Sequence, residues 1–137
     1  MKALAALVAI LLLVGCVQAP RRAVQACPQG QDYLRTAQLF LGRNVGDKPT
    51  LGDAEFRQFV EAELTPRFPN GLTVVDGGAR WRASDDRLVR EAQKVVTIVL
   101  PPAGDATRRI AAVRAAYKMR FHQDSVLLIG QAACLSF

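Results

Sequence analysis

Three cysteines, one histidine and a few scattered carboxylates are the residues of this 137-residue chain that could do chemistry. Their types and spacing exclude more than they offer. His122 is the only histidine, so neither a histidine metal cluster nor a histidine relay can form. A serine nucleophile would need His122 as its base, and no GxSxG motif presents such a serine. There is no GxGxxG, no P-loop and no EF-hand loop. Asp85-Asp86 follows Ser84 and reads as a turn rather than a catalytic carboxylate pair. Glu91 and Lys94 read as a surface pair rather than an acid/base couple. No cofactor and no metal are expected, and no catalytic residue is assigned. Arg67 stands out among the polar residues because Pro66 and Pro69 stiffen the backbone around it. Its fork could clamp a carboxylate or phosphate, which makes it a candidate anion-binding residue. It could equally pair with Glu63 or Glu91 to fix the turn, and that structural role is the favoured one. Trp81, between Arg80 and Arg82, is expected to pack on a sheet; the alternative is an exposed platform.

The cysteines carry more information. Lys2 is followed by the apolar run Ala3 to Val14, which is the length of a secretory h-region. It is shorter than the roughly 20 apolar residues that span a bilayer. Leu13-Val14-Gly15-Cys16 closes the run and resembles the lipobox of bacterial lipoproteins. The resemblance implies cleavage of residues 1–15 and lipidation of Cys16. Each buried CH₂ of an acyl chain contributes about 0.8 kcal/mol, so two or three chains anchor the product stably. Val17 and Gln18 follow the cysteine in place of the aspartate that holds such lipoproteins in the inner membrane. The expected place is therefore the outer membrane, with the domain facing the periplasm. Cys27 and Cys134 remain, and in an oxidising compartment an even pair reads as one disulfide. Two free thiols are the alternative.

The chain has 18 basic and 12 acidic residues, for a formal charge of +6. The arginines are dispersed and no run of five like charges occurs, which argues against a nucleic-acid arm. A mildly cationic, solvated surface is the plain reading. Attraction to an anionic envelope polymer or to lipid headgroups is the sharper one.

Residues 16–32 lack periodicity and hold Pro20, Pro28 and Gly30, so they read as a tether. Residues 33–137 then supply one domain. Tyr33 to Leu41 reads as a strand and Gly42 to Lys48 as a loop. A helix follows, capped by Thr50 with Asp53 or by Gly52 with Glu55. Its apolar stripe is Phe56, Phe59, Val60 and Leu64, and it is expected to stop at Thr65 because Pro66 follows. Leu72 to Asp76 is a second strand. Gly77-Gly78 is placed as a two-residue hairpin loop, with Ala79 to Arg82 returning and Ser84-Asp85-Asp86 as a further turn. Val95 to Leu100 is apolar on both faces and is the clearest strand. Asp105 or Thr107 caps a second helix, whose stripe Ile110, Val113, Tyr117 and Phe121 is assigned to the core. Ser125 to Ile129, continuing through Cys134, closes the list.

The order β-α-β-β-α-β, with a hairpin excursion after the second strand, is the ferredoxin-like plan of the α+β class. Its sheet order is 4-1-3-2, which buries the third strand, where Val95 to Leu100 falls. The last strand then lies antiparallel to the first, so Cys27 and Cys134 come together. Topology and redox chemistry thus nominate the same disulfide independently.

The stretch Glu63-Leu64-Thr65-Pro66-Arg67-Phe68-Pro69-Asn70-Gly71-Leu72-Thr73-Val74 resembles the signature of a bacterial family of small exported proteins, classed as a domain of unknown function. Trp81, Arg90-Glu91, Lys94-Val95-Val96, Ala115-Ala116-Tyr117-Lys118, Arg120-Phe121 and Ser125-Val126 extend the resemblance over residues 33–137. It implies one intact domain and adds no catalytic assignment.

Two helices cover one face of such a sheet. The apolar residues that Val95 to Leu100 offers to the other face imply a cover, either a second copy in a homodimer or a ligand. The leading reading is a non-enzymatic envelope lipoprotein that binds or assembles. The alternative is a small-molecule enzyme of the dimeric α/β-barrel type, with a pocket under the open sheet face.

Overall fold

The structure is a computed structural model that describes residues 26–45, 48–49, 51–102 and 104–137. The signal segment 1–15, Cys16 and the tether as far as residue 25 lie outside the described residues, as does Thr50. The elements are β1 (Asp32–Gly42), the two-residue β2 (Asn44–Val45) and β3 (Lys48–Pro49), α1 (Asp53–Phe59), β4 (Leu72–Arg82), β5 (Leu88–Leu100), α2 (Ala106–Phe121) and β6 (Leu127–Leu135). The long strands form one sheet in the order β4-β5-β1-β6, every neighbour antiparallel. That is the ferredoxin-like arrangement, with β1 and β5 central.

Strand parity explains the two faces. Ala37, Leu39 and Leu41 of β1 and Val96, Ile98 and Leu100 of β5 point toward the helices and are buried. They meet Phe56 and Phe59 of α1 and Ile110, Val113 and Tyr117 of α2. Phe59 packs edge-on to Tyr117, with ring centroids 5.1 Å apart. Glu55 accepts the Gly52 N–H at 3.0 Å, which completes the α1 cap on the glycine. Asp105 accepts the Arg108 N–H at 3.0 Å and caps α2. His122 ends α2 in the left-handed conformation (φ 51°), and the Gln123 N–H returns to the Lys118 carbonyl at 3.1 Å.

The helical segment stops at Thr65 as expected, but two local details differ. Thr65 itself stays in the helical region, with φ and ψ of −57° and −44°. Residues Val60–Leu64 widen into a π turn, in which the Thr65 N–H reaches the Val60 carbonyl at 2.8 Å. Pro66, which has no N–H to donate, follows this turn, and the Arg67 and Phe68 N–H groups both return to the Leu64 carbonyl, at 3.1 and 2.9 Å. Gly77-Gly78 is not a turn. Leu72–Arg82 runs as one strand, paired with β5 from Leu72↔Ile98 to Arg82↔Leu88. The excursion after the second strand is the far half of this β4–β5 ribbon. Its turn lies at Ser84–Asp86, where Asp86 takes φ 64° and Asp85 accepts the Arg87 N–H at 3.2 Å.

Residues Pro28–Gln31 fold back in a turn, with the Gln31 N–H on the Pro28 carbonyl at 3.1 Å and Gly30 at φ 82°. Cys27 is thereby brought to Cys134, which lies opposite Tyr33 in the β1–β6 ladder. The two sulfurs are joined, with the Cα atoms 5.5 Å apart. Among the described residues, no helix is long and apolar enough to cross a membrane.

Candidate functional site

The face of the sheet away from the helices carries Gln38 and Phe40 from β1, Val75, Ala79 and Trp81 from β4, Val89, Glu91 and Val95 from β5, and Leu127 and Ile129 from β6. Trp81, Leu127, Ile129 and Val75 remain substantially exposed. At one end of this face the β4–β5 ribbon and the α2–β6 loop enclose a cleft of about 430 Å³. Phe40, Trp81, Val89 and Leu127 give it apolar walls, and Asn44, Glu91 and Gln123 give it polar ones.

Glu91 is the centre of this site. The last pairing of β1 with β5 is Gly42↔Gln93. The Arg43 N–H still reaches the Ala92 carbonyl at 2.9 Å, but two residue pairs beyond Gly42 the Asn44 N–H meets the Glu91 carboxylate, at 3.4 Å. A carboxylate can be accommodated there because residue 42 is glycine. A Cβ at that position would collide with Glu91 Oε1 and come within 2.9 Å of Gln123 Oε1. Gly42 is in turn fixed from below, where the buried Tyr117 hydroxyl donates to its carbonyl at 2.8 Å. Gln123 donates to the Asn44 carbonyl at 3.1 Å and closes the loop over the strand end. Burial pushes the Glu91 carboxyl above its ordinary value, opposed only by the Asn44 N–H. Among the described residues no cation pairs with it. Burial also pushes the Tyr117 hydroxyl well above the phenol range, so it stays a donor.

The family model for proteins of unknown function named DUF3574 matches residues 36–137, from within β1 to the end of the chain. The chain belongs to this family. A comparison with curated proteins finds no match. Among solved structures, the chain is similar in fold to a phage SAM lyase in complex with S-methyl-5′-thioadenosine. The TM-score is 0.58 at 18% identity, over 84% of this chain and 96% of that one. The same lyase in its apo state matches with a TM-score of 0.56 at 19% identity, over 84% and 97%. At this identity the likeness shows the fold.

In this DUF3574 domain the other sequence candidates have separate fates. Glu91 and Lys94 are not a pair. Three residues apart on a strand, they point to opposite faces. Lys94 is buried on the helix side, where Nζ meets Asp76 at 2.6 Å and Asp53 at 3.0 Å. The Lys94 hydrogen bond, with Arg43 beside it, holds the Asp53 carboxyl below its usual range. Arg67 donates to the Glu63 carbonyl at 2.7 Å and pairs with the Glu63 carboxylate at 2.8 Å. Both contacts come from Nη1 and fix the turn after α1, which is the structural role. Trp81 is an exposed wall of the cleft rather than a packed residue, because the ribbon that carries it runs past the end of β1. Among the described residues, no group of three or more His, Cys, Asp and Glu side chains is placed to hold a metal. Sequence reasoning missed Gly42, Asn44 and Gln123. No motif marks them, because the site is made by the end of one strand meeting a loop far away in sequence.

The raised Glu91 carboxyl makes a stability prediction. Below the ordinary pKa of 4.5, both folded and unfolded chains are protonated at this position and its charge costs nothing. As pH rises through the folded-state value, the native carboxylate ionises in a partly desolvated place and stability is lost. Glu91→Gln is therefore expected to raise the melting temperature at pH 7, with the gain closing below pH 4.5. Thermal unfolding as a function of pH measures this. A lower melting temperature at pH 7 would show that the Asn44 hydrogen bond outweighs the cost of burial.

Proposed function

We propose that this chain is a lipid-anchored protein of the bacterial cell envelope whose domain acts as a binding module, with its ligand site in the open-face cleft. The observation that carries the reading is Glu91: a half-buried carboxylate that no cation among the described residues pairs with, lining a cleft of about 430 Å³. Clefts that bind small molecules fall in the range of roughly 300–1,000 Å³, with apolar walls and few polar groups. Leu13-Val14-Gly15-Cys16 supports the anchor, and the apolar run before it supports export. The Cys27–Cys134 bond suits an oxidising compartment and ties the tether's end to the last strand.

The second reading is a small-molecule enzyme that uses the same cleft. It is favoured by the fold likeness to a protein described as a SAM lyase in complex with S-methyl-5′-thioadenosine. Incubating the purified protein with S-adenosylmethionine and following release of S-methyl-5′-thioadenosine separates the two. Turnover abolished by Glu91→Gln would establish the enzyme; binding without turnover would establish the module. The anchor has its own test. Cys16→Ser is expected to move the protein from the membrane fraction to the soluble fraction, and mass spectrometry of the unaltered protein should find acylated residue 16 at the N-terminus. A product that stays membrane-bound with residues 1–15 intact would sink the lipoprotein assignment.

A further inference from the structure

The chemistry of the cleft says which ligand it suits, an inference that rests on the cleft being a ligand site. Glu91 sits on the open face opposite Ala79, and Trp81 is opposite Val89. Trp81 and Glu91 are thus diagonal neighbours on one face, with side chains about 7–8 Å apart at their bases. An ionised carboxylate has about four acceptor sites, and among the described residues Glu91 receives one long bond, of 3.4 Å from the Asn44 N–H. The buried Asn44 Oδ1, in the wall of the same cleft, has no donor among the described residues. The Glu91 carboxylate lines a cleft in which two of the donors, Gln123 Nε2 and Arg87, are committed elsewhere. Gln123 Nε2 is bonded to the carbonyls of Asn44 and Phe121, and Arg87 at the rim is bonded to Asp85 at 3.5 Å. The other ionisable side chains at the rim are His122 and Asp124, so a second carboxyl group lies beside Glu91. The lining of the cleft holds two carboxyl side chains, Glu91 and Asp124, and one arginine, Arg87, in a chain of net charge +6. An ammonium would supply the missing donors to Glu91 and Asn44, and would stabilise the carboxylate where water is partly excluded. The indole of Trp81 offers a π face to the same charge, and Phe40 and Leu127 offer contact to an apolar substituent.

We propose that the cleft binds a small organic ammonium ion with an apolar substituent, its charge on Glu91 and Asn44 and its apolar part against Trp81 and Phe40.

Trp81 is the only tryptophan in the chain, so intrinsic fluorescence reports directly on the cleft. The experiment titrates the full chain carrying Cys16→Ser with benzylammonium, with benzyl alcohol as the neutral analogue and benzoate as the anionic one. Benzylammonium is expected to bind at least about tenfold more tightly than benzyl alcohol, which corresponds to about 1.4 kcal/mol, and benzoate more weakly still. Glu91→Gln is expected to bring benzylammonium to the affinity of benzyl alcohol. Equal binding of the ammonium and the alcohol, or an ammonium affinity untouched by Glu91→Gln, would overturn the cation while leaving the cleft as a ligand site. No response of Trp81 to any probe at millimolar concentration would overturn both. A melting temperature of the Glu91→Gln variant at or above that of its parent excludes unfolding as the cause of lost binding.

Discussion

Removing the Cys27–Cys134 bond is expected to lower the melting temperature of this domain by roughly 10–20 °C. The two cysteines are 107 residues apart, so the bond closes almost the whole described chain into one loop. In the chain-entropy model a loop of about 100 residues restricts the unfolded state by up to about 4.7 kcal/mol, with about 2–4 kcal/mol more typical. Domains are stable by only about 5–15 kcal/mol, so the bond is a large share of the whole. The pair also lies where the chain enters the sheet. Cys27 precedes β1, which is central, and Cys134 is on the edge strand β6, opposite Tyr33. Force on an N-terminal anchor would therefore act on the cross-link before it could peel β1 from its neighbours. Thermal unfolding of the protein with and without a thiol reductant measures the effect, and a Cys27→Ser, Cys134→Ser double variant should match the reduced form. Free thiols at both positions in protein purified without reductant, or a melting temperature indifferent to reductant, would remove the bond from the account.

Tyr117→Ala is expected to destabilise the domain by about 3–5 kcal/mol. Tyr117 is fully buried, packs its ring against Phe59 and Phe121, and hydrogen-bonds across 75 residues to the Gly42 carbonyl. The alanine variant loses the ring contacts, leaves a cavity and strands that carbonyl. Tyr117→Phe separates the terms. It keeps the ring and removes only the donor, which is expected to cost about 1–3 kcal/mol because a buried carbonyl is left unpaired. Urea unfolding of both variants measures the difference. If phenylalanine cost as much as alanine, packing would not be the main contribution. If alanine cost less than about 1 kcal/mol, the aromatic cluster would not be core at all.

Much of the architecture was legible along the chain. The stripes Phe56, Phe59, Leu64 and Ile110, Val113, Tyr117 recur at the helical period, and each faces the sheet. Val95 to Leu100 carries apolar residues at every position but Thr97, as a central strand must, and it lies beside β1 in the middle of the sheet. The element order, and the strand order that follows from it, already place Cys27 beside Cys134, and the two are bonded. These are properties of local periodicity and chain connectivity, and a sequence records both directly.

Tertiary structure decided the turn of the long ribbon and the whole of the cleft. Gly77-Gly78 and Ser84-Asp85-Asp86 are both acceptable turn sequences. The choice went to the second because the pairing of β4 with β5 continues past Gly77, where a Cβ would come within 3.2 Å of the Val95 side chain. Glu91 and Lys94 look like neighbours on paper. Strand pleating sent Lys94 to Asp53 and Asp76 under the helices, and Glu91 to the opposite face. What makes Glu91 distinctive is the room left by a glycine 49 positions earlier, a backbone N–H at Asn44 and an amide at Gln123. Contacts between such distant residues leave no local pattern, since each residue type is ordinary where it stands and acquires its role only when a strand end, a ribbon and a loop are packed together.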